Sequence, residues 1–258
     1  MSPDGSGSST TRIKSVETTL EIIAELKRQN GATVSELAST VDVSKGTVHK
    51  HLATLREHDY VVNDDGSYRI GFHFLDIGGY ALCQFDGVKQ ITSKVRELAD
   101  QTGETVQFST EQHGRTVVLT REAGQKGVSS RARLGTRFYM HQVSGGKAIL
   151  ANLSKQRVQA IIAQHGLPAA TESTITTESE LFEELETIRD RGYAFNKAES
   201  TNGLHAVGVP LRGPEGDVLG AFAIAGPSHR MHSGRFEDKI PDVMLSAVNE
   251  IELNLTYS

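Results

Sequence analysis

Thr33 to Glu57 reads TVSELASTVDVSKGTVHKHLATLRE, and this stretch decides the fold of the N-terminal part of the chain. Thr33 and Glu36 have the Thr-x-x-Glu spacing of a capping box, which opens a short helix that turns Leu37 and Ala38 toward a core. Val41-Asp-Val-Ser44 makes a turn, and Ser44 is placed to cap the next helix, Lys45 to Glu57. Two short helices a few residues apart have helix-turn-helix spacing. On the second, Val48, Leu52 and Leu55 share one stripe while Gly46, His49, Lys50 and Ala53 share the other, so one stripe packs and the other is free. Taken alone, this would be an amphipathic helix with a solvated face. In the order box, turn, helix it is a recognition helix, whose Lys45, Gly46, Thr47, His49 and Lys50 offer close backbone approach and donors to DNA.

Upstream, Val16, Leu20, Ile23 and Leu26 recur at helical spacing and Asn30-Gly31 stops the helix they mark. Downstream, Tyr60-Val-Val62 and Tyr68-Arg-Ile70 flank Asn63-Asp-Asp-Gly-Ser67, a hairpin in the position of a wing, with Arg69 turned to the same ligand. Residues 12–71 therefore read as a winged helix-turn-helix DNA-binding domain, in which Thr33, Ser44 and Arg69 add to the contacts of the recognition helix. Residues 1–11 read as a flexible tail with neither a charged nor an apolar signal region. Residues 72–85, FHFLDIGGYALCQF, are apolar enough for a linker helix that buries a face against a partner subunit, with Cys83 on its buried side.

Composition narrows the classes. The 258 residues carry a formal net charge of −5, one cysteine and no apolar run near the ~20 residues a membrane span needs. Mean hydropathy is −0.32 and the pI near 6.1. These values suit a cytoplasmic chain without disulfides or a thiolate zinc site, and with no membrane partner. Residues 12–70 hold eight Lys or Arg against nine Asp or Glu. Any contact with DNA must therefore come from locally clustered cations such as Lys45, Lys50, Arg56 and Arg69.

From residue 86 to 258 the pattern mixes helices with consecutive β-rich segments and a Gly-Pro-Glu-Gly turn at 213–216, which predicts an α+β domain with an antiparallel sheet. Helices are expected near 88–101, 145–152, 155–164, 179–191 and 241–255. Strands are expected near 104–110, 116–121, 193–198, 204–211 and 218–225.

The segments IKSVETTLEIIAEL, TVSELASTVDVSKGTVHKHLATLREHDYV, MHQVSGGKAILANL, RGYAFNKAESTNGLHAVGVPL and VLGAFAIAGPSHRM, in this order, resemble the IclR family of transcriptional regulators. The resemblance covers the chain from about Arg12. It implies a dimerising linker helix and a GAF-like effector-binding domain, assembled as a dimer or a dimer of dimers, and it brings no enzymatic activity or cofactor. By matched motifs it places Ser144, Gly145, Gly146, Asn196, Leu204, Ala206, Ala223 and Ala225 around an effector.

Ser144-Gly-Gly-Lys147 fits the Ser-x-x-Lys of acylating enzymes, but the companion motifs are missing. As a phosphate loop it fails, because His141 stands where a glycine is needed and Ala148 follows the lysine. Two readings of this segment remain open: an anion-accepting helix start, or glycines required by close packing of a helix on a sheet. The alanines read either as the floor of a pocket for a ligand larger or less polar than a two- or three-carbon acid, with Asn196 and Ser144 as its polar anchors, or as sheet core. Arg131, Arg133 and Arg137 form either a carboxylate clamp or a solvated face. Among ten histidines, His49 and His51 lie on different helical faces and His229-x-x-His232 has no nearby third ligand on the chain, so no residue is named as a metal ligand. The functional expectation is a ligand-responsive regulator of a pseudo-palindromic operator, modulated by an organic acid or a sugar-derived catabolite. The alternative is an enzyme or carrier using the C-terminal cavity.

Overall fold

The structure is a computed structural model, described here for residues 12–127, 132–231 and 234–256. The tail 1–11, Arg131 and His232 lie outside these residues. The chain divides into two compact units, one ending at Phe85 and one beginning at Asp86.

In the first unit, α1 (Lys14–Gln29) is followed by a two-residue strand β1 (Ala32–Thr33), then α2 (Val34–Val41) and α3 (Lys45–Glu57). The capping box forms: the Thr33 hydroxyl accepts from the Glu36 N–H at 3.3 Å, and the Thr33 N–H donates to Glu36 Oε2 at 2.7 Å. The Ser44 hydroxyl accepts from the Thr47 N–H at 3.1 Å and so starts α3. Strands β2 (Val61–Asp64) and β3 (Ser67–Ile70) make the wing, and β3 lies between β1 and β2 in an antiparallel sheet. Ile22, Leu26, Leu37, Val48, Leu52, Val61 and Tyr68 form the core.

Two expectations are corrected here. The buried face of α1 is Thr18, Ile22 and Leu26 rather than the Val16–Leu20 line, for Val16 and Leu20 are 50% and 59% exposed. Both stripes have helical spacing, and the packing of α2 and β3 against α1 chooses between them. Helix α4 (His73–Cys83) forms as expected but has no buried residue among the described residues, and Cys83 is exposed.

The second unit is α+β. Strands β4 (Thr105–Gln112), β5 (Arg115–Ala123), β6 (Arg137–Tyr139), β7 (Ala194–Lys197), β8 (Leu204–Arg212) and β9 (Val218–Pro227) form one antiparallel sheet of order β6-β5-β4-β9-β8-β7. The hairpins β4–β5 and β8–β9 are local, whereas the central β4–β9 pairing joins Thr105 to Ala225 across most of the unit. One face carries Val106, Phe108, Val207, Val209, Phe222 and Ile224, all buried, under α5 (Val88–Thr102) and α9 (Ile240–Thr256). The Phe108 and Phe222 rings meet edge-on at 5.0 Å there. The other face carries α6 (Ser144–Ala151), backed by α7 (Lys155–His165) and α8 (Glu178–Arg191).

Candidate functional site

Helix α3 keeps its free face. Lys45, Gly46, His49 and Lys50 are exposed, Thr47 and Ala53 are half-buried, and Val48, Leu52 and Leu55 anchor the opposite side. Among the described residues Lys45 and Lys50 make no ion pair, while three other cations of this unit are taken: Arg12 by Glu17, Arg28 by Glu25 and Arg69 by Asp64. Beside Lys50, a groove of about 300 Å³ between α1 and α3 is lined by Ser15, Val16, Thr19, His51, Thr54 and Leu55. The Thr19 hydroxyl donates to the Ser15 carbonyl at 2.8 Å, so its oxygen accepts from His51 Nδ1 at 2.8 Å and ties α3 to α1.

In the second unit, strand register brings the expected effector residues to one face. Asn196, Ala206 and Ala225 form a row across β7, β8 and β9, continued by Thr105 of β4. The next row is Ala194, Gly208, Ala223, Gln107 and Arg121. Leu204 is paired with Pro227 at the start of β8. The first turn of α6 sits on this face. A Cβ on Gly145 would lie 3.7 Å from Ala221 Cβ and 3.8 Å from Ala223 Cβ. A Cβ on Gly208 would run into the Ser144 backbone, and one on Gly146 into the Met140 carbonyl. Close helix-on-sheet packing therefore accounts for Gly208, the backbone of the turn just before α6 accounts for Gly146, and the alanines set how near α6 comes.

Polar groups at the start of α6 differ in what they are free to do. Ser144 is 1% exposed, and among the described residues its hydroxyl has no hydrogen-bond partner. The first backbone bond at this end is Lys147 N–H to the Val143 carbonyl, at 2.9 Å. This leaves the N–H groups of Ser144, Gly145 and Gly146 without backbone acceptors among the described residues. Asn196, by contrast, is occupied. Its Nδ2 donates to the Gln142 carbonyl and to Ser200 Oγ, both at 2.9 Å, and its Oδ1 accepts from the Glu199 N–H at 2.9 Å. Arg133 and Arg137 are exposed.

Sequence reasoning missed two elements of this site. Arg121 shares the alanine face only because of the β4–β5 register, which no local pattern encodes. Lys147 is 1% exposed and donates to Glu199 Oε1 at 2.9 Å, with Oε2 at 2.7 Å and Glu184 Oε1 at 3.3 Å. The lysine of the Ser-x-x-Lys segment is thus tied into a buried ion cluster that braces α6 against the turn after β7. His141, just before α6, has its imidazole pKa lowered by burial, and its Nε2 donates to the Pro168 carbonyl at 3.0 Å. Among the described residues, no group of three His, Cys, Asp or Glu could hold a metal ion, and no helix is long and apolar enough to cross a membrane.

This arrangement, a capped helix-turn-helix with a wing and then a six-stranded sheet with α6 on one face, can be set beside known proteins. The family model described as the IclR helix-turn-helix domain matches residues 15–65, and that described as bacterial transcriptional regulator IclR C-terminal matches residues 81–252. The chain belongs to the IclR family. The probable HTH-type transcriptional regulator ArcR of Halobacterium salinarum is 34% identical over 248 residues, spanning 95% of this chain and 94% of that protein. The crystal structure of the Thermotoga maritima IclR is 26% identical with a TM-score of 0.79, covering 95% of this chain and all of the other. The inducer-binding domain of an Acinetobacter PobR double mutant, in complex with 3-hydroxybenzoic acid, is 25% identical with a TM-score of 0.58, covering 64% of this chain and 96% of that one. This IclR-family chain is accordingly a transcriptional regulator and not an enzyme, which disposes of the enzyme alternative.

Proposed function

We propose that this IclR-family chain is a ligand-responsive regulator that acts in the cytoplasm. It would bind a pseudo-palindromic operator through paired winged helices and change its affinity when a small organic acid or sugar-derived catabolite occupies the second unit. The observation that carries the DNA side is the exposed row Lys45, Gly46, His49 and Lys50, unpaired among the described residues, on a helix whose other face is locked in the core. Lys45 and Lys50 hold phosphates, His49 and Thr47 reach base edges, and Gly46 lets the backbone approach. Thr33 and Ser44, whose side chains cap α2 and α3, set the helix starts against the DNA backbone.

Self-association supplies the second half-site. Phe72, Leu75 and Tyr80 of the α4 region are 85%, 70% and 68% exposed, an apolar surface that a second copy would cover. A Leu75→Glu/Tyr80→Glu variant is expected to shift from a dimer or dimer of dimers to a monomer by light scattering and to lose operator binding. A wild type that is already monomeric while bound to its operator would contradict this assignment.

For the effector, the face of Leu204, Ala206, Ala223 and Ala225 supports an apolar ligand body, and Ser144 with the N–H groups of Gly145 and Gly146 supports its carboxylate. Asn196 holds the edge of the site rather than the ligand. The PobR complex with 3-hydroxybenzoic acid makes hydroxybenzoates the first ligands to try, beside 2-oxo acids and sugar acids. Ala223→Leu places three more carbons against α6, at a packing cost of about 1–3 kcal/mol. The variant is expected to fold and bind DNA but to lose the shift in operator affinity that the active acid produces. An undiminished shift would place the effector elsewhere.

A further inference from the structure

The wing does not present a free cation. Arg69 Nη2 donates to Asp64 Oδ2 at 2.7 Å, with the two side chains 55% and 64% exposed. Asp64 pairs with Ser67 across the hairpin and Arg69 with Val62, so Asp64 and Arg69 are diagonal neighbours on the outer face. A second carboxylate, Asp65, stands at the tip. From residue 62 to 69 the wing therefore carries two negative charges against one positive. In a winged helix-turn-helix, this is an unfavourable charge to bring near phosphates.

Turn chemistry explains part of this but not all. Asp65 and Gly66 have φ of +48° and +86°, and the Gly66 N–H donates to Asn63 Oδ1 at 3.0 Å. These are the two left-handed centres of a two-residue hairpin turn, where Asn-Gly serves as well as Asp-Gly. The backbone thus needs a short Asx side chain at 65 but no charge there, and nothing in the turn needs a carboxylate at 64. What the Asp64 charge does is hold Arg69.

We propose that the wing is its own competitor for DNA: Asp64 occupies the Arg69 guanidinium in the free protein, and Arg69 reaches a backbone phosphate only by exchanging that carboxylate for it. Asp65 adds repulsion at the tip. An exposed pair of this kind is weak enough to open on contact, so the wing adds little to binding at random sequence and leaves α3 to set affinity. The inference rests on the DNA-binding reading above.

The test uses the full chain and a labelled random-sequence duplex of about 30 base pairs, titrated over a range of salt. Asp64→Asn/Asp65→Asn keeps the turn and frees Arg69. One added phosphate contact steepens the salt slope by about 0.9, which corresponds to about eightfold tighter binding at ~0.1 M salt. Arg69→Ala in that background is expected to abolish the gain, while Arg69→Ala in the wild type changes affinity less than twofold. A gain that survives Arg69→Ala overturns the exchange, since simple repulsion would then explain it. Unchanged affinity and slope in Asp64→Asn/Asp65→Asn, with Lys45→Ala/Lys50→Ala still weakening binding, overturns the proposal and leaves the DNA reading standing. If no variant on α3 alters binding either, both fall together.

Discussion

Lys147→Met is expected to destabilise the second unit by about 3–5 kcal/mol, the loss that follows when one member of a buried ion pair is removed. Lys147 is 1% exposed and the Glu199 side chain 9%, so the variant strands a carboxylate where little water reaches it. The same carboxylate accepts the Lys197 N–H at 3.2 Å, and the Glu199 carbonyl accepts from Thr174 Oγ1 at 2.6 Å, so the turn cannot swing out without losing both. For a unit of this size, the loss corresponds to a melting temperature lower by roughly 10 °C. Lys147→Met/Glu199→Leu removes both charges and is expected to recover most of the stability. Calorimetry of the two variants decides the matter. A single variant within about 1 kcal/mol of wild type would show that the pair is not effectively buried.

Lys45→Ala/Lys50→Ala is expected to have the largest effect on DNA. If each lysine neutralises one phosphate, the salt slope falls by about two, and affinity at ~0.1 M salt falls roughly sixtyfold for every sequence alike. His49→Ala behaves differently, changing base preference at one position while the slope stays constant. Neither change touches the core, for Lys45, His49 and Lys50 are all exposed. Full affinity in a folded Lys45→Ala/Lys50→Ala variant would remove α3 from the interface.

The parts of this fold that could be read from the sequence are those set by neighbouring residues. The Thr33–Glu36 box and the Ser44 cap each close within four consecutive residues and form as read, and the hairpin loop read at 63–67 forms with a shorter turn, Asp65-Gly66. Strand and helix positions in the second unit were legible to within a few residues for the same reason. What could not be read depends on distant contacts. Val16 and Leu20 look as apolar as Ile22, and only the packing of α2 and β3 against α1 sorts them. The strands β1 and β6, of two and three residues, exist because β3 and β5 offer them an edge.

The candidate site divides along the same line. The glycines of α6 were visible, but their reason, the backbone of Met140 and the close approach of Gly208, was not. Asn196 was legible as a polar residue of the site, yet its bonds to Gln142 and Ser200 make it a brace. The Lys147–Glu199 pair spans 52 residues and has no local signature.

If two copies of α3 read an operator, the 258-residue chain will select it from a random duplex pool. Enrichment is expected for an inverted repeat whose half-sites lie about 10–10.5 base pairs apart, or a multiple of that, centre to centre. Lys45→Ala/Lys50→Ala is expected to abolish the enrichment. A pool that stays unenriched, or one that the variant enriches as well as the wild type does, would contradict it.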